Sequence, residues 1–451
     1  MNLLGIQDIF LGIVYLGIIY TIAYGLKSRQ QKKGLDSQYF IGGLTAKLIG
    51  VTAFCLIYGL YYGGGDTIDY YNGSLALANL MTEDFDAFCS IVFDNELEKN
   101  LNAFTTETGY PAWHIWRDPN SFSVSRYSSI LCLLGAKSFF ITSLLTAAYS
   151  YIGIWKLYRL FTINYPDAKK ALAICILFMP SLLFWGSGIM KDSYVLGAAC
   201  WFSYNFYHVF ITRKKILINA LLVIINISII MTMKPYIILS ILPGALLWLN
   251  NAYLKQVSSG FVKMLVMPLI GVIMLGGGFF LYSNMSSLMG DYGNIDQAVE
   301  KAKIIQQDLL REEQYGGNNY NLGEIDGTAG GMSSIAPLAI FTALYRPLFF
   351  EIGSPLMVIS AIENTILLLL TLFLFFKTNP RKIFRIILEE PLLLYSIFFS
   401  LLLAFGVGMA STNFGALTRY KIPFMPYYFS SIYLIYHLNI QKGIFRMSLG
   451  S

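Results

Sequence analysis

Two carboxylates three residues apart, Asp66 and Asp69, stand in the stretch YGGGDTIDYY that runs from Tyr62 to Tyr71. On a helix that spacing brings both acids to one face. There one can take a proton from a hydroxyl while the other orients the group or helps to hold a divalent ion. The glycines before them let the backbone turn sharply and approach a ligand closely. A second role is open to Asp66: with Gly65 ending the preceding apolar run, it can cap a short helix that starts at Thr67. The two roles are compatible.

Cations at similar turns supply the other half of a possible site. Lys191 precedes Asp192 in WGSGIMKDSYVL, Lys234 lies in MTMKPY, Arg346 shares LYRPLFFEIG with Glu351, and Arg419 and Lys421 lie in TNFGALTRYKIPFMP. Each of these turns carries Gly or Pro. Arg and Lys hold phosphate oxygens, and a carboxylate among them can do proton chemistry, so the mixture suits an anionic, lipid-linked substrate. Taken singly, each cation can equally be an interfacial anchor that snorkels to lipid phosphates. Glu363, next to Asn364 in LMVISAIENTILLLL, falls inside an apolar run, where a charge costs about 2.5–3.5 kcal/mol at the bilayer centre. It reads as a functional acid or as a structural partner for a cation such as Arg346. His114, among the tryptophans of PAWHIWRDP, reads first as a packed loop residue, with a base as the alternative. No His/Cys cluster has metal-ligand spacing, so a divalent metal is possible only through the carboxylates. Neither a P-loop nor a GxSxG motif is present, which leaves soluble nucleotide chemistry and hydrolase triads without support.

The elements that must position these residues are membrane helices. The chain has 451 residues, of which 56% are hydrophobic, 16% aromatic and only 13% charged, with a mean hydropathy of +0.57. A soluble domain of this size cannot cover its surface with so few charges. A span needs roughly 20 apolar residues, and about eleven candidates satisfy that, near 6–26, 43–62, 138–161, 170–187, 193–212, 215–232, 235–252, 262–283, 354–376, 391–411 and 422–438. The segments KSRQQKK, KLYRLFTINYPDAKK, TRKK, KTNPRKIFR and QKGIFR fall on one face, which the positive-inside rule makes cytoplasmic. The N-terminus is then outside and the C-terminus inside. The net charge of +6 reads as this topology signal, and no nucleic-acid partner is expected. No cleavable leader is expected either, because Lys27, Arg29, Lys32 and Lys33 follow the first apolar run in place of a small-residue cleavage site.

The expected organisation has a first span with its basic loop over 1–42, a core over 43–283 with the outer loop 63–127, an outer segment over 284–353, and final spans over 354–451. Within 284–353 the stretch DQAVEKAKIIQQDLLREEQ predicts a helix with Ala298, Ala302, Ile305 and Leu309 on one side. The Gly-Asn-rich stretch after it predicts a loop. Residues 335–353, broken by Arg346, Pro347 and Glu351, predict a re-entrant or interfacial element. Tyr61, Tyr62, Tyr70, Tyr71, Trp113, Trp116, Trp185 and Tyr236 fit an aromatic belt or the apolar faces of sugars. No fixed-period repeat appears, so an inverted-repeat transporter gains no support.

The span order, the motif GGGDTIDYY and the run SLLTAAYSYIGIWKLYRLFTINYPDAKKALAICILFMPSLLFWGSGIMKD resemble the polytopic glycosyltransferases of the glycosyltransferase C superfamily. The ending RYKIPFMPYYF is similar to an element of those enzymes and of Wzy-type O-antigen polymerases. The likeness covers roughly residues 43–240 and 345–437 and rests on short motifs. It implies transfer of a sugar from a polyprenyl phosphate or diphosphate carrier to a glycan, lipid or protein acceptor. The site of action would be the outer face of a bacterial cytoplasmic membrane. Asp66 is its best match to the base and Asp69 the second; Lys191, Asp192, Lys234, Arg346, Arg419 and Lys421 would line the carrier-phosphate site. The family's acidic loop follows the first helix, whereas here it follows the second, which an extra N-terminal helix would explain. Two other functions stay open: polymerisation of lipid-linked repeat units, and a non-catalytic subunit of an export or envelope-assembly machine that binds a partner through its long outer segments.

Overall fold

The computed structural model describes residues 3–93, 101–254, 295–310, 319–320, 322 and 329–448. The expected span at 262–283, the DNELEK segment and most of the Gly-Asn-rich stretch lie outside the described residues.

Every regular element among the described residues is helical. In chain order these are α1 (Ile6–Lys32), α2 (Phe40–Leu56), α3 (Asp66–Glu83), α4 (Phe85–Phe93), α5 (Trp113–Arg117), α6 (Pro119–Leu134), α7 (Phe139–Asn164), α8 (Lys169–Leu177), α9 (Pro180–Trp185) and α10 (Lys191–Phe206). They continue with α11 (Ile216–Met233), α12 (Ile238–Leu254), α13 (Ile295–Leu309), α14 (Ala329–Tyr345), α15 (Met357–Lys377), α16 (Pro380–Glu389), α17 (Pro391–Ala410), α18 (Phe414–Tyr420) and α19 (Met425–Ser448).

Among the described residues six stretches are long and apolar enough to cross a membrane: Ile6–Lys32, Phe40–Tyr62, Ile216–Met233, Pro235–Tyr253, Met357–Lys377 and Pro391–Ala410. A seventh is reached if α6 and α7, bent by 111° at their junction, count as one broken span. The sequence reading made 170–187 one span, but the helix stops after Leu177 and resumes at Pro180. Proline lacks the N–H that would continue the ladder and disfavours a helical residue before it. Two short helices result. The expected re-entrant element is a helix, α14, followed by the break at Arg346 and Pro347 and a single 3₁₀ turn, Phe349–Glu351.

The chain forms two compact units. One comprises Met1–Tyr158, Leu177–Trp201 and Ser228–Lys234; the other comprises Arg159–Ile176, Phe202–Ile227 and Pro235–Ser451. In the first, α3 packs along α6 through small residues: a Cβ on Gly73 would meet Ser125 Oγ at 2.5 Å. The cores of α7 and α10 meet still more tightly, since a Cβ on Gly153 would stand 2.0 Å from the carbonyl oxygen of Gly197. In the second unit α17 packs against α12 and α14. There a Cβ on Gly408 would stand 2.1 Å from the carbonyl oxygen of Ala339. Small residues at crossings are what membrane helices use in place of a hydrophobic drive, because close backbones maximise dispersion contact.

Candidate functional site

The YGGGDTIDYY stretch is a turn between two helices. The span that begins with α2 ends in a π-helical segment, Ile57–Tyr62. Gly63 then takes φ 60° and Gly65 takes φ 104°. A side chain would be strained at either position, so these two glycines are required by the reversal itself. Helix α3 starts at Asp66 with Gly65 as its N-cap. This corrects the capping role considered for Asp66: it is the first residue inside an 18-residue helix, not the cap of a short one. Asp66 and Asp69 both lie in the first turn, where the helix dipole favours negative charge.

Asp69 has a partner. His114 Nε2 stands 3.5 Å from its Oδ2. The imidazole side chain is 64% exposed and the carboxylate 31% exposed, so His114 is not the packed loop residue that its neighbours suggested. Those neighbours do the packing: Trp116 is buried edge-on between Phe104 and Phe122 and so fixes α5, leaving His114 on the open side. Burial raises the proton affinity of Asp69 above the ordinary carboxylate range; the charge of His114 offsets part of this, and that of Asp66 adds to it.

Four residues beyond His114, Asp118 begins α6. Its carboxylate caps the helix, accepting from Asn120 N at 3.1 Å and Ser121 N at 3.2 Å, with Pro119 at the first helical position. Lys191 Nζ lies 3.3 Å from the same carboxylate. Burial alone would raise Asp118, but the Lys191 charge and the hydrogen bonds from Ser121, Lys191 and Asn120 outweigh it and hold the group below its ordinary value. Asp192, the next residue after Lys191, turns the other way and forms an ion pair with Lys234 whose side chains are only 3% and 6% exposed. Asp69 with His114 and Asp118 with Lys191 are thus two partly open acid–base pairs, one at each end of the short segment that runs from α5 to the start of α6. Asp192 and Lys234 lie buried in the same unit.

The remaining candidates belong to the second unit. Arg346 forms an ion pair with Glu351, its Nε donating to Oε1 at 2.8 Å, and its guanidinium carbon lies 5.2 Å and 5.0 Å from the ring centres of Tyr320 and Phe414. Glu363, read as a functional acid or as a structural partner for a cation such as Arg346, has Lys421 as its neighbouring cation, while Arg346 takes Glu351, five residues away across the Pro347 turn. Lys421 is buried and donates to Asn364 Oδ1 at 2.6 Å and to the carbonyl of Arg346 at 3.1 Å. Asn364 Nδ2 in turn donates to the carbonyl of Pro347 at 3.0 Å. Glu363 lies within electrostatic reach of Lys421. Arg419 is half-buried in the last turn of α18.

Two residues escaped the sequence reading. Asp118 carried a usable signal, because Asp-Pro is the cap and first-turn pair of a helix start. Lys47 carried none that the apolar run GGLTAKLIGV could show. It is fully buried, and its ammonium donates to the carbonyls of Leu182 and Gly186, the first at 3.0 Å, at the end of α9. The expected aromatic belt divides: Tyr61, Tyr62 and Trp113 are exposed, whereas Tyr70, Tyr71, Trp116 and Trp185 are core. Among the described residues no three of His, Cys, Asp and Glu converge as a metal site.

The described residues define an all-helical protein with several span-length apolar helices and two partly open acid–base pairs. Compared with family models, with curated proteins and with solved structures, the chain matches none.

Proposed function

We propose that the chain is a multi-pass membrane glycosyltransferase that moves a sugar from a polyprenyl-linked donor to a glycan, lipid or protein acceptor on the outer face of a bacterial cytoplasmic membrane. The reading includes the topology of about eleven spans with the N-terminus outside, which rests on the distribution of loop Lys and Arg. One observation carries the chemistry: an open carboxylate–imidazole pair between Asp69 in the first turn of α3 and His114 in α5. A base that takes a proton from a hydroxyl works best when its proton affinity is raised toward the working pH, and Asp69 is raised.

In this scheme the acceptor hydroxyl oxygen bonds to the anomeric carbon while the bond from that carbon to the carrier phosphate breaks. The hydroxyl proton passes to Asp69, and the electron pair of the broken bond leaves on the phosphate. His114 holds the carboxylate in position. Lys191, partly exposed beside Asp118, can exchange that partner for the developing phosphate charge. Lys234 and Asp192 are buried in each other's contact and fix the start of α10, where Lys191 stands. The base assignment moves from Asp66 to Asp69 because Asp69 is the member of the pair that faces an imidazole.

A second reading, polymerisation of lipid-linked repeat units, places the weight on Arg346 and Lys421. It is favoured by the cation of Arg346 set beside the stacked rings of Tyr320 and Phe414, a cation and an aromatic surface together being suited to a sugar or phosphate. The test uses the purified chain in liposomes with a panel of polyprenyl-phosphate and polyprenyl-diphosphate sugars, single and oligomeric, and reads released carrier by mass spectrometry. Release from single-sugar donors supports transfer, and release from oligomeric donors alone supports polymerisation. Folded protein that releases no carrier from any donor returns the chain to the non-catalytic reading.

A further inference from the structure

We propose that α16 is an interfacial helix that binds the headgroups of anionic phospholipids through a basic and apolar stripe. The helix is ten residues long, PRKIFRIILE, or roughly 15 Å. It lies between two span-length apolar helices, α15 and α17, and only Thr378 and Asn379 on one side and Glu390 on the other connect them. Two spans joined by so short a link must begin and end at the same membrane surface, so α16 lies at the level where hydrocarbon gives way to headgroups.

Its start is well specified: Asn379 caps it, its side-chain oxygen accepting from Arg381 N at 2.9 Å, and Pro380 occupies the first turn. One face is spoken for. Ile383 and Ile386 are buried, and α16 packs against α17 and α19. The other face is left exposed by the described residues. Arg381, Phe384, Arg385 and Leu388, spaced three, four and seven residues from the first, are all exposed; Phe384 is 63% exposed. The end of α15 extends the patch with Phe376, 86% exposed, and with Lys377, whose ammonium lies 5.9 Å from the ring centre of Phe373.

Composition chooses the occupant. From Lys377 to Glu390 the chain carries Lys377, Arg381, Lys382 and Arg385 against Glu389 and Glu390, and both acids stand at the far end of the helix, beyond the stripe. A purely apolar stripe would suit any lipid tail and a purely basic one any polyanion. Here bulky apolar side chains alternate with arginines on one stripe at the membrane boundary. That pattern inserts rings among the upper acyl carbons while guanidinium groups hold phosphates, and it favours lipids with net negative charge. The proposal stands apart from the transferase reading, because none of these residues belongs to that site.

The experiment is native mass spectrometry of the full chain released from micelles containing equal amounts of phosphatidylglycerol and phosphatidylcholine. Wild-type protein is expected to retain phosphatidylglycerol in preference. The variant R381Q/K382Q/R385Q should lose that preference by about fivefold for each charge removed, whereas R381K/R385K, which keeps the charge, should retain it. Arg381 and Arg385 are exposed, Lys382 is half-buried one turn before the buried Ile386, and R381Q/R385Q, confined to the exposed positions, should show the same loss for its two charges while the Lys variant checks the fold of the helix. Equal retention of the two lipids by wild type would overturn the proposal. So would a phosphatidylglycerol preference undiminished in the Gln variant, which would place the lipid at another basic loop.

Discussion

His114 Nε2 lies 3.5 Å from Oδ2 of Asp69, joining the start of α3 to the short helix α5 that the buried Trp116 holds in place. The pair is open to solvent on the imidazole side and partly buried on the carboxylate side. Its consequence is a base whose ionisation depends on two neighbours of opposite effect.

The pH dependence follows from that. Asp69 must be ionised to accept a proton, and burial first, then the Asp66 charge, place its ionisation above the ordinary carboxylate range, while His114 pulls it back. Activity is therefore lost as pH falls through this raised value. Asp66→Asn removes a charge that raises Asp69, so the acid limb of kcat/KM should move to lower pH. His114→Gln removes the opposing influence, so the limb should move to higher pH. Shifts in the same direction for both variants would contradict the assignment.

Stability at low pH should report Asp118. Its carboxyl is held below the ordinary range, so it contributes stability that is present above the unfolded-state value and is lost as pH falls through the folded one. Lys191→Met should bring that loss to higher pH, seen as an earlier fall of Tm on acidification. The carboxylate is half-exposed, so the effect should be modest and should shrink in high salt.

The buried pair of Lys234 and Asp192 predicts a non-additive result. Lys234→Met alone leaves a carboxylate in the core and should cost about 3–5 kcal/mol. The double variant K234M/D192L should recover most of that loss, because it removes both desolvated charges. Thermal unfolding of the three proteins in one detergent decides it; a double variant as unstable as the sum of the singles would contradict the account.

Helix crossings give a sharper contrast. Alanine at Gly153 or Gly408 would press a methyl group to 2.0 Å or 2.1 Å from a backbone oxygen of a neighbouring helix. Either substitution should destabilise by at least the ~1–3 kcal/mol of an overpacked core. Gly406, where a Cβ would meet nothing within 4 Å, should accept alanine with no loss or with a gain of about 1 kcal/mol. Parallel melting curves for the three variants measure this.

Six of the expected spans were legible because apolar runs of span length have few alternatives, while the run at 170–187 hid the break before Pro180. The YGGG turn was legible too, since positive φ at Gly63 and Gly65 needs glycine. What escaped depends on residues that are distant in the chain. His114 beside Asp69, Lys191 on Asp118 and Lys421 on Asn364 are tertiary pairs with no local spacing to mark them. Glu363 was read as partner to a cation such as Arg346, but the cation in its reach is Lys421, far along the chain, while Arg346 takes Glu351 across one proline turn. Lys47 was hidden by its neighbours, since a lone lysine in an apolar run gives no hint of the two carbonyls waiting on α9.

The central claim is that Asp69, not Asp66, takes the proton in sugar transfer. Consumption of a polyprenyl-linked donor by wild type, Asp69→Asn and Asp66→Asn, measured side by side in liposomes, tests it most directly. The account predicts a loss of about 10²–10⁴-fold for Asp69→Asn, the range a positioned base contributes, with Asp66→Asn retaining most of its rate at neutral pH. Equal rates for Asp69→Asn and wild type, or a larger loss for Asp66→Asn, would contradict it.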